Sequence, residues 1–146
     1  MAIEYEFRSA ADLDPDRATK LVAACPGVER SEHGLSAPGI NDITVVKESA
    51  LGRRLIREGL GFESNVRIVI HVSKEDPEVG EDEVARLLEQ LLPQLPGDLA
   101  LLLNNEKVVA LRKGGKVLLN RDLQFWRDRR AFVRATAFLE SIPDLT

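Results

Sequence analysis

The sequence predicts a single α+β domain on a largely antiparallel sheet of about six to seven strands, and three observations carry that prediction. Between Gly97 and Asn120, three short apolar runs are joined by Asn104-Asn105 and Gly114-Gly115, dipeptides that tolerate the positive φ of tight hairpin turns. This is a three-stranded meander over about 99–120. Elsewhere, period-2 and helical patterns alternate irregularly, which favours α+β over a doubly wound sheet. Finally, 146 residues with no repeat, low-complexity tract or linker fit one domain, large enough to bury about 68–70% of its unfolded surface.

The elements follow in order. Ile3, Tyr5 and Phe7 alternate with Glu4, Glu6 and Arg8, the pattern of a half-buried strand whose polar face meets solvent. Asp14 and Pro15 supply an N-cap and first-turn proline for a helix over about 14–25, with Ala18, Leu21, Val22 and Cys25 inward until Pro26-Gly27. Val28–Glu32 and Ile40–Lys47 read as strands, with turns near His33-Gly34 and at Ala37-Pro38-Gly39. Ser49 caps a short helix to Glu58 with Leu51, Leu55 and Leu60 inward, and Phe62 pins the loop after it. Val66, Ile68, Ile70 and Val72 mark a clear strand.

Glu81, Asp82 and Glu83 complement the positive end of a helix over about 81–92, whose Val84, Leu87, Leu88, Leu91 and Leu92 recur at i, i+3, i+4, i+7 and i+8. Leu99–Leu103, apolar throughout, is expected to be central and covered on both faces. The stretch 123–141 mixes Phe125, Trp126, Phe132, Val133 and Phe138 with arginines and is expected to be a helix apolar over a wide arc.

Composition narrows the function classes. A single cysteine and two histidines provide neither a disulfide nor a zinc set, and no cofactor or metal is called for. Val22-Ala23-Ala24-Cys25 superficially matches a lipoprotein cleavage site, but charged residues precede it where an apolar stretch is required. No apolar run is long enough to span a membrane, so a cytoplasmic, non-membrane protein is expected. The net charge of −4 divides unevenly, −8 over residues 1–100 and +4 over 101–146, a layout able to steer a charged partner.

Each chemical candidate has a plainer reading beside it. Cys25 with His33 and His71 gives an alternative site for an enzyme or small ligand, but the thiol sits at a helix C-terminus, where the dipole opposes a thiolate. Ser36, Ser49, Ser64 and Ser73 stand in no known nucleophile motif. Glu75, Asp76, Glu78, Glu81, Asp82 and Glu83 form an acidic loop and helix start. Their spacing fails the EF-hand rule, leaving a basic protein face as the functional reading. Arg127, Arg129, Arg130 and Arg134 interleave with rings as a nucleic-acid surface would, yet Asp122 and Asp128 dilute them and the isoelectric point of about 5.3 is acidic. Gly114-Gly115 precedes a strand rather than a helix, so it forms a turn and not a phosphate cradle.

Read as a string, Gly97-Asp98-Leu99-Ala100-Leu101-Leu102-Leu103-Asn104-Asn105 followed by Lys107–Asn120 resembles the C-terminal signature of the Sit-type immunity proteins, named for swarming inhibition. The opening strand at Ile3–Phe7, Gly61-Phe62 before Val66–Val72, and the leucine-rich helix before Gly97-Asp98 are similar too. The resemblance implies a non-catalytic protein that binds and neutralises a cognate protein toxin. It supplies no functional residues by position. The acidic residues 75–83 are chosen from charge, and Trp126, with Phe125, Phe62 and Tyr5, from its value as an anchor wherever it is exposed.

Overall fold

A computed structural model describes residues 3–134 and 136–145. These residues form three helices and nine strands: β1 Ile3–Ser9, α1 Pro15–Ala23, β2 Glu29–Ser31, β3 Gly34–Ala37, β4 Ile40–Lys47, α2 Ala50–Leu60, β5 Val66–Val72, α3 Pro77–Leu91, β6 Leu99–Leu103, β7 Lys107–Lys113, β8 Lys116–Asn120 and β9 Ala137–Glu140. All belong to one sheet in the order β2-β3-β4-β5-β1-β6-β7-β8-β9. Every neighbouring pair is antiparallel except β8 and β9. The sheet is larger than the sequence indicated because β3 and β9 carry too few residues to show a period.

The meander forms where expected. Asn104 and Asn105 have φ of 51° and 57°, and Gly114 and Gly115 have 60° and 83°. The second turn is a two-residue loop between paired Lys113 and Lys116. The first takes three residues, since Leu103 pairs with Lys107, and a bulge opposite Leu101–Leu102 leaves Val109 as an extra residue in β7. β6 lies inside the sheet between β1 and β7, and its first four residues are buried.

Helices cover both faces of the sheet. On one face α1 and α3 press Ala18, Val22, Val84, Leu87, Leu88 and Leu91 onto Tyr5, Phe7, Ile68, Ile70, Leu99 and Leu101. On the other, α2 and the tail Ile142–Leu145 cover Ala100, Leu102 and Val108 through Ile56. Leu51 is 78% exposed, which corrects the inward assignment. The buried residues of α2 are Gly52 and Ile56, one turn apart, because the helix start must approach Glu48 and Arg8: a Cβ on Gly52 would lie 2.0 Å from Glu48 Oε1. Leu51→Lys is therefore expected to change the unfolding free energy by less than about 0.5 kcal/mol, a value read from urea titration.

α3 begins four residues earlier than its apolar stripe indicates. Asp76 occupies the N-cap and Pro77 the first turn, the same Asp-Pro entrance that opens α1. The far end of α3 has no basic residue in its last turn. Arg112 from β7 supplies the missing donors, reaching the carbonyls of Leu92, Leu95 and Gly97.

The predicted helix over 123–141 does not form; position 135 within it lies outside the described residues. Two 3-10 turns, Gln124–Trp126 and Arg130–Phe132, are followed by β9. The edge of β8 explains the difference, since a strand pairs its backbone groups through Val117–Asn120 and a helix would leave them unmet. Trp126 meanwhile donates its indole N–H to the Val109 carbonyl at 2.7 Å.

The expectation of a solvated polar face on β1 also fails. Glu6 is 0% and Arg8 2% exposed, under the start of α2. Arg8 Nη1 lies 3.1 Å from Glu48 Oε2, Arg8 Nη2 3.1 Å from Glu6 Oε1, and Arg67 Nε 2.6 Å from that same Glu6 oxygen. Ser64 and Asn105 complete the group: the Ser64 hydroxyl donates to Glu48 at 2.8 Å and Arg8 donates to Asn105 Oδ1 at 3.0 Å. Glu6 Oε2 has no partner among the described residues.

Candidate functional site

The six carboxylates at positions 75–83 divide into two sets once the helix start is placed. Glu81, Asp82 and Glu83 serve the fold. Tyr5 donates its hydroxyl to Glu81, and burial together with that carboxylate pushes the phenol well above its ordinary range. Arg129 donates to Asp82 at 2.8 Å, stands 3.9 Å from Glu81 and stacks over Phe125. Glu83, 7% exposed, pairs with Arg86 at 2.7 Å. The Tyr5 and Arg129 contacts tie α3 to β1 and to the 121–134 segment, whereas the Glu83–Arg86 pair lies within α3.

Glu75, Asp76 and Glu78 are exposed and have no ion pair among the described residues. They surround the N-terminal end of α3, whose unpaired N–H groups favour negative charge there. The backbone beneath is held closely. Gly39, at φ of +72°, lies against Gly80, and a Cβ built on Gly80 would come within 2.3 Å of the Gly39 carbonyl oxygen. Ser73 N–H donates to that oxygen at 2.8 Å. The β3–β4 turn, the β5 exit and the first turn of α3 are thereby locked together.

Two shallow clefts flank this acidic tip. One is lined by Tyr5, Glu78, Glu81, Phe125, Asp128 and Arg129, the other by Ile3, Asp42, His71, Ser73, Lys74 and Glu75. In the second, His71 is clamped: Nδ1 lies 2.8 Å from Asp42 and Nε2 3.0 Å from Glu4. Two carboxylate acceptors require two N–H donors, so the geometry selects the imidazolium. The bond to Asp42 is the chief cause that raises the His71 pKa above its ordinary 6.5, and Glu4 is lowered in turn, first by its contact with Glu6 and then by His71.

A raised folded pKa gives stability that is fully present below 6.5 and is lost as pH rises through the folded value. Wild type should therefore exceed His71→Gln in stability at pH 6, and the gap should close in alkaline buffer. The gap should be modest, because the ring is 40% exposed and water screens it. An NMR titration placing His71 at or below its ordinary pKa would contradict the clamp.

The remaining sequence candidates disperse. His33 sits on the exposed β2–β3 turn beside Glu32 and shares no cleft with His71. Cys25 is buried, burial raises its pKa, and its thiol points to the Leu21 carbonyl. Trp126, Phe125, Phe62 and Tyr5 are 2%, 7%, 6% and 1% exposed, so none stands at the surface as an anchor. The four arginines form no common cationic face: Arg129 is paired with acids, and Arg130 donates to the Val133 and Ala137 carbonyls. Among the described residues no set of three metal-ligating side chains converges, and no helix is long and apolar enough to cross a membrane.

Sequence reasoning missed the His71 clamp. Its partners come from β4 and β1, distant in sequence and adjacent only in the sheet, with Asp42 and Glu4 both in register with His71. The alternation of Val66, Ile68, Ile70 and Val72, which leaves His71 on the other face of its strand, is the one available signal.

No curated protein and no solved structure matches this sequence. The family model described as SitI3-like matches residues 3–130, which contain every strand but β9, all three helices and the acidic tip. With that match covering most of its 146 residues, the chain belongs to the SitI3-like family.

Proposed function

We propose that this chain is a cytoplasmic immunity-type protein that binds a cognate toxin and neutralises it without catalysis, presenting the acidic tip of α3 to a basic surface. Family membership supports the class of function. The observation that supports the surface is the separation of the carboxylates, in which Glu81 and Asp82 anchor the helix and Glu83 pairs within it, while Glu75, Asp76 and Glu78 stay exposed and without ion pairs among the described residues on a rigid base.

An inhibitor of this kind needs rapid capture and slow release, and a fixed cluster of one sign raises the encounter rate. Because the backbone below it is locked by the Gly39–Gly80 contact, little ordering entropy is lost on docking. His71 does not compete with this reading as a general base, since both ring nitrogens already face carboxylates.

Co-expression with the toxin-like protein encoded beside this chain tests the function. Growth should be rescued and the two proteins should co-purify; failure of both with every neighbouring product would refute the neutralising role. For the surface, the variant with Glu75, Asp76 and Glu78 all changed to lysine should associate about tenfold more slowly at low salt, with most of the difference removed near 0.5 M salt. An association rate equal to wild type in stopped-flow mixing would remove the acidic tip from the interface.

A further inference from the structure

Three arginines of the net-positive segment 101–146 gather beside the edge of the sheet opposite β2. There Arg121, Arg127 and Arg130 rim a small groove floored by Leu123, Trp126 and Leu139, with no carboxylate in its lining. Arg121 and Arg127 are exposed and have no ion pair among the described residues, and Leu139 is 46% exposed.

The groove runs along an unprotected strand. The Glu140 carbonyl accepts from Arg121 N–H at 2.9 Å, on the side of β8. By strand alternation the backbone groups of Ala137 and Leu139 then face outward. Arg130 already occupies the Ala137 carbonyl at 2.9 Å. The N–H and C=O of Leu139 remain without a partner among the described residues. The opposite edge differs: β2 has three exposed residues, Glu29, Arg30 and Ser31, a short polar border that discourages pairing. β9 instead exposes Phe138 at 47% and Leu139 on its two faces.

We propose that the β9 edge accepts an extended acidic and apolar peptide segment as a tenth strand. Leu139 would exchange two backbone hydrogen bonds with the segment's central residue. That residue's apolar side chain would enter the groove over Leu123 and Trp126, and acidic side chains two positions to either side, on the same face, would meet the arginines. Charge chooses this occupant over a second copy of the chain, because two β9 edges paired about Leu139 would bring two arginine rims together. The ownership of the segment by a toxin rests on the neutralising reading; the recognition itself does not.

The probe is the acetylated and amidated heptapeptide Gly-Asp-Val-Leu-Val-Glu-Gly, titrated calorimetrically into the full chain and followed by the emission of Trp126, the sole tryptophan. Saturable binding with a change in emission is expected. It should weaken at least tenfold with Arg127→Glu, with lysines in place of the two acids, and with N-methylation of the central leucine. Circular dichroism verifies that Arg127→Glu, at an exposed position, is folded. Absence of binding at millimolar peptide, indifference to Arg127→Glu, or indifference to N-methylation would overturn the proposal. So would tighter binding of oligo(dT), or a dimer that the peptide does not dissociate in sedimentation velocity. The assay contains no toxin, so its failure leaves the rescue experiment untouched, and failed rescue leaves the groove untouched.

Discussion

Replacing Arg8 with methionine is expected to remove about 3–5 kcal/mol of stability, the cost of leaving the buried Glu48 carboxylate without its cation and Glu6 with Arg67 alone. Arg8 is 2% exposed and bridges Glu6 on its own strand to Glu48 at the entrance of α2. Water cannot reach either carboxylate to compensate, since both side chains are 0% exposed. For a domain whose total stability is of order 5–15 kcal/mol, that is a large share, visible as a lower urea midpoint.

The loss should depend on pH. Burial pushes the Glu6 carboxyl upward, reinforced by contact with Glu4 and opposed by Arg8 and Arg67. A folded pKa above the unfolded one gives a contribution that is present in acid and lost as pH rises through the folded value. Removing Arg8 takes away one of the two charges that hold the ionised form, so the folded pKa rises further. The deficit of Arg8→Met should consequently be greatest at pH 7 and shrink toward pH 4.5. An equal deficit at both pH values would assign the effect to lost packing of the arginine stem. Removing the Arg8–Glu48 pair together, with Glu48→Leu added to Arg8→Met, should cost less than the single change, because Glu6 keeps Arg67 and no buried carboxylate is left without a cation.

The same cluster shows which parts of the fold sequence reading reaches. Alternation at Ile3–Arg8 identifies a strand and its two faces correctly, but it equates charge with solvent. Nothing in the alternation reveals that α2 will lie across Glu6 and Arg8, because the partners Glu48, Ser64 and Arg67 arrive through tertiary pairing. The meander was legible because its determinants are local: two turn dipeptides able to adopt positive φ, and apolar runs too short to be helices. The 123–141 segment was misread for the opposite reason. Its rings serve two elements, Trp126 bonded to Val109 in the sheet and Phe138 on a strand, so a single helical arc does not describe them. At the acidic tip the residue types were legible and their division was not. Only the placement of Tyr5 and Arg129 tells Glu81 and Asp82, which hold the helix, from Glu75 and Glu78, which remain exposed.

Gly80→Ala should destabilise the protein by about 1–3 kcal/mol, the cost of forcing an added methyl into a packed site, although helix propensity argues the other way. In an exposed helix interior, alanine in place of glycine gains about 1 kcal/mol. Gly80 lies in the first turns of α3, where its Cβ would stand 2.3 Å from the Gly39 carbonyl oxygen and 2.6 Å from Val72 Cγ1. The oxygen is backbone and already accepts from Ser73, so it has no rotamer to escape by. Gly39 cannot yield easily either, since its φ of +72° is the conformation the turn requires. Relief must come from lifting the start of α3, and with it Glu75, Asp76 and Glu78. A matched control is Gly114→Asn: φ is again positive at +60°, but a Cβ meets nothing within 4 Å and asparagine tolerates that region, so stability should scarcely change. The two variants separate backbone conformation from close approach in one urea titration. If Gly80→Ala were neutral or stabilising, the contact between the β3–β4 turn and α3 would not be what fixes the acidic tip. If it destabilises and also slows association with the proposed partner, the rigidity of the tip and the proposed capture share that one contact.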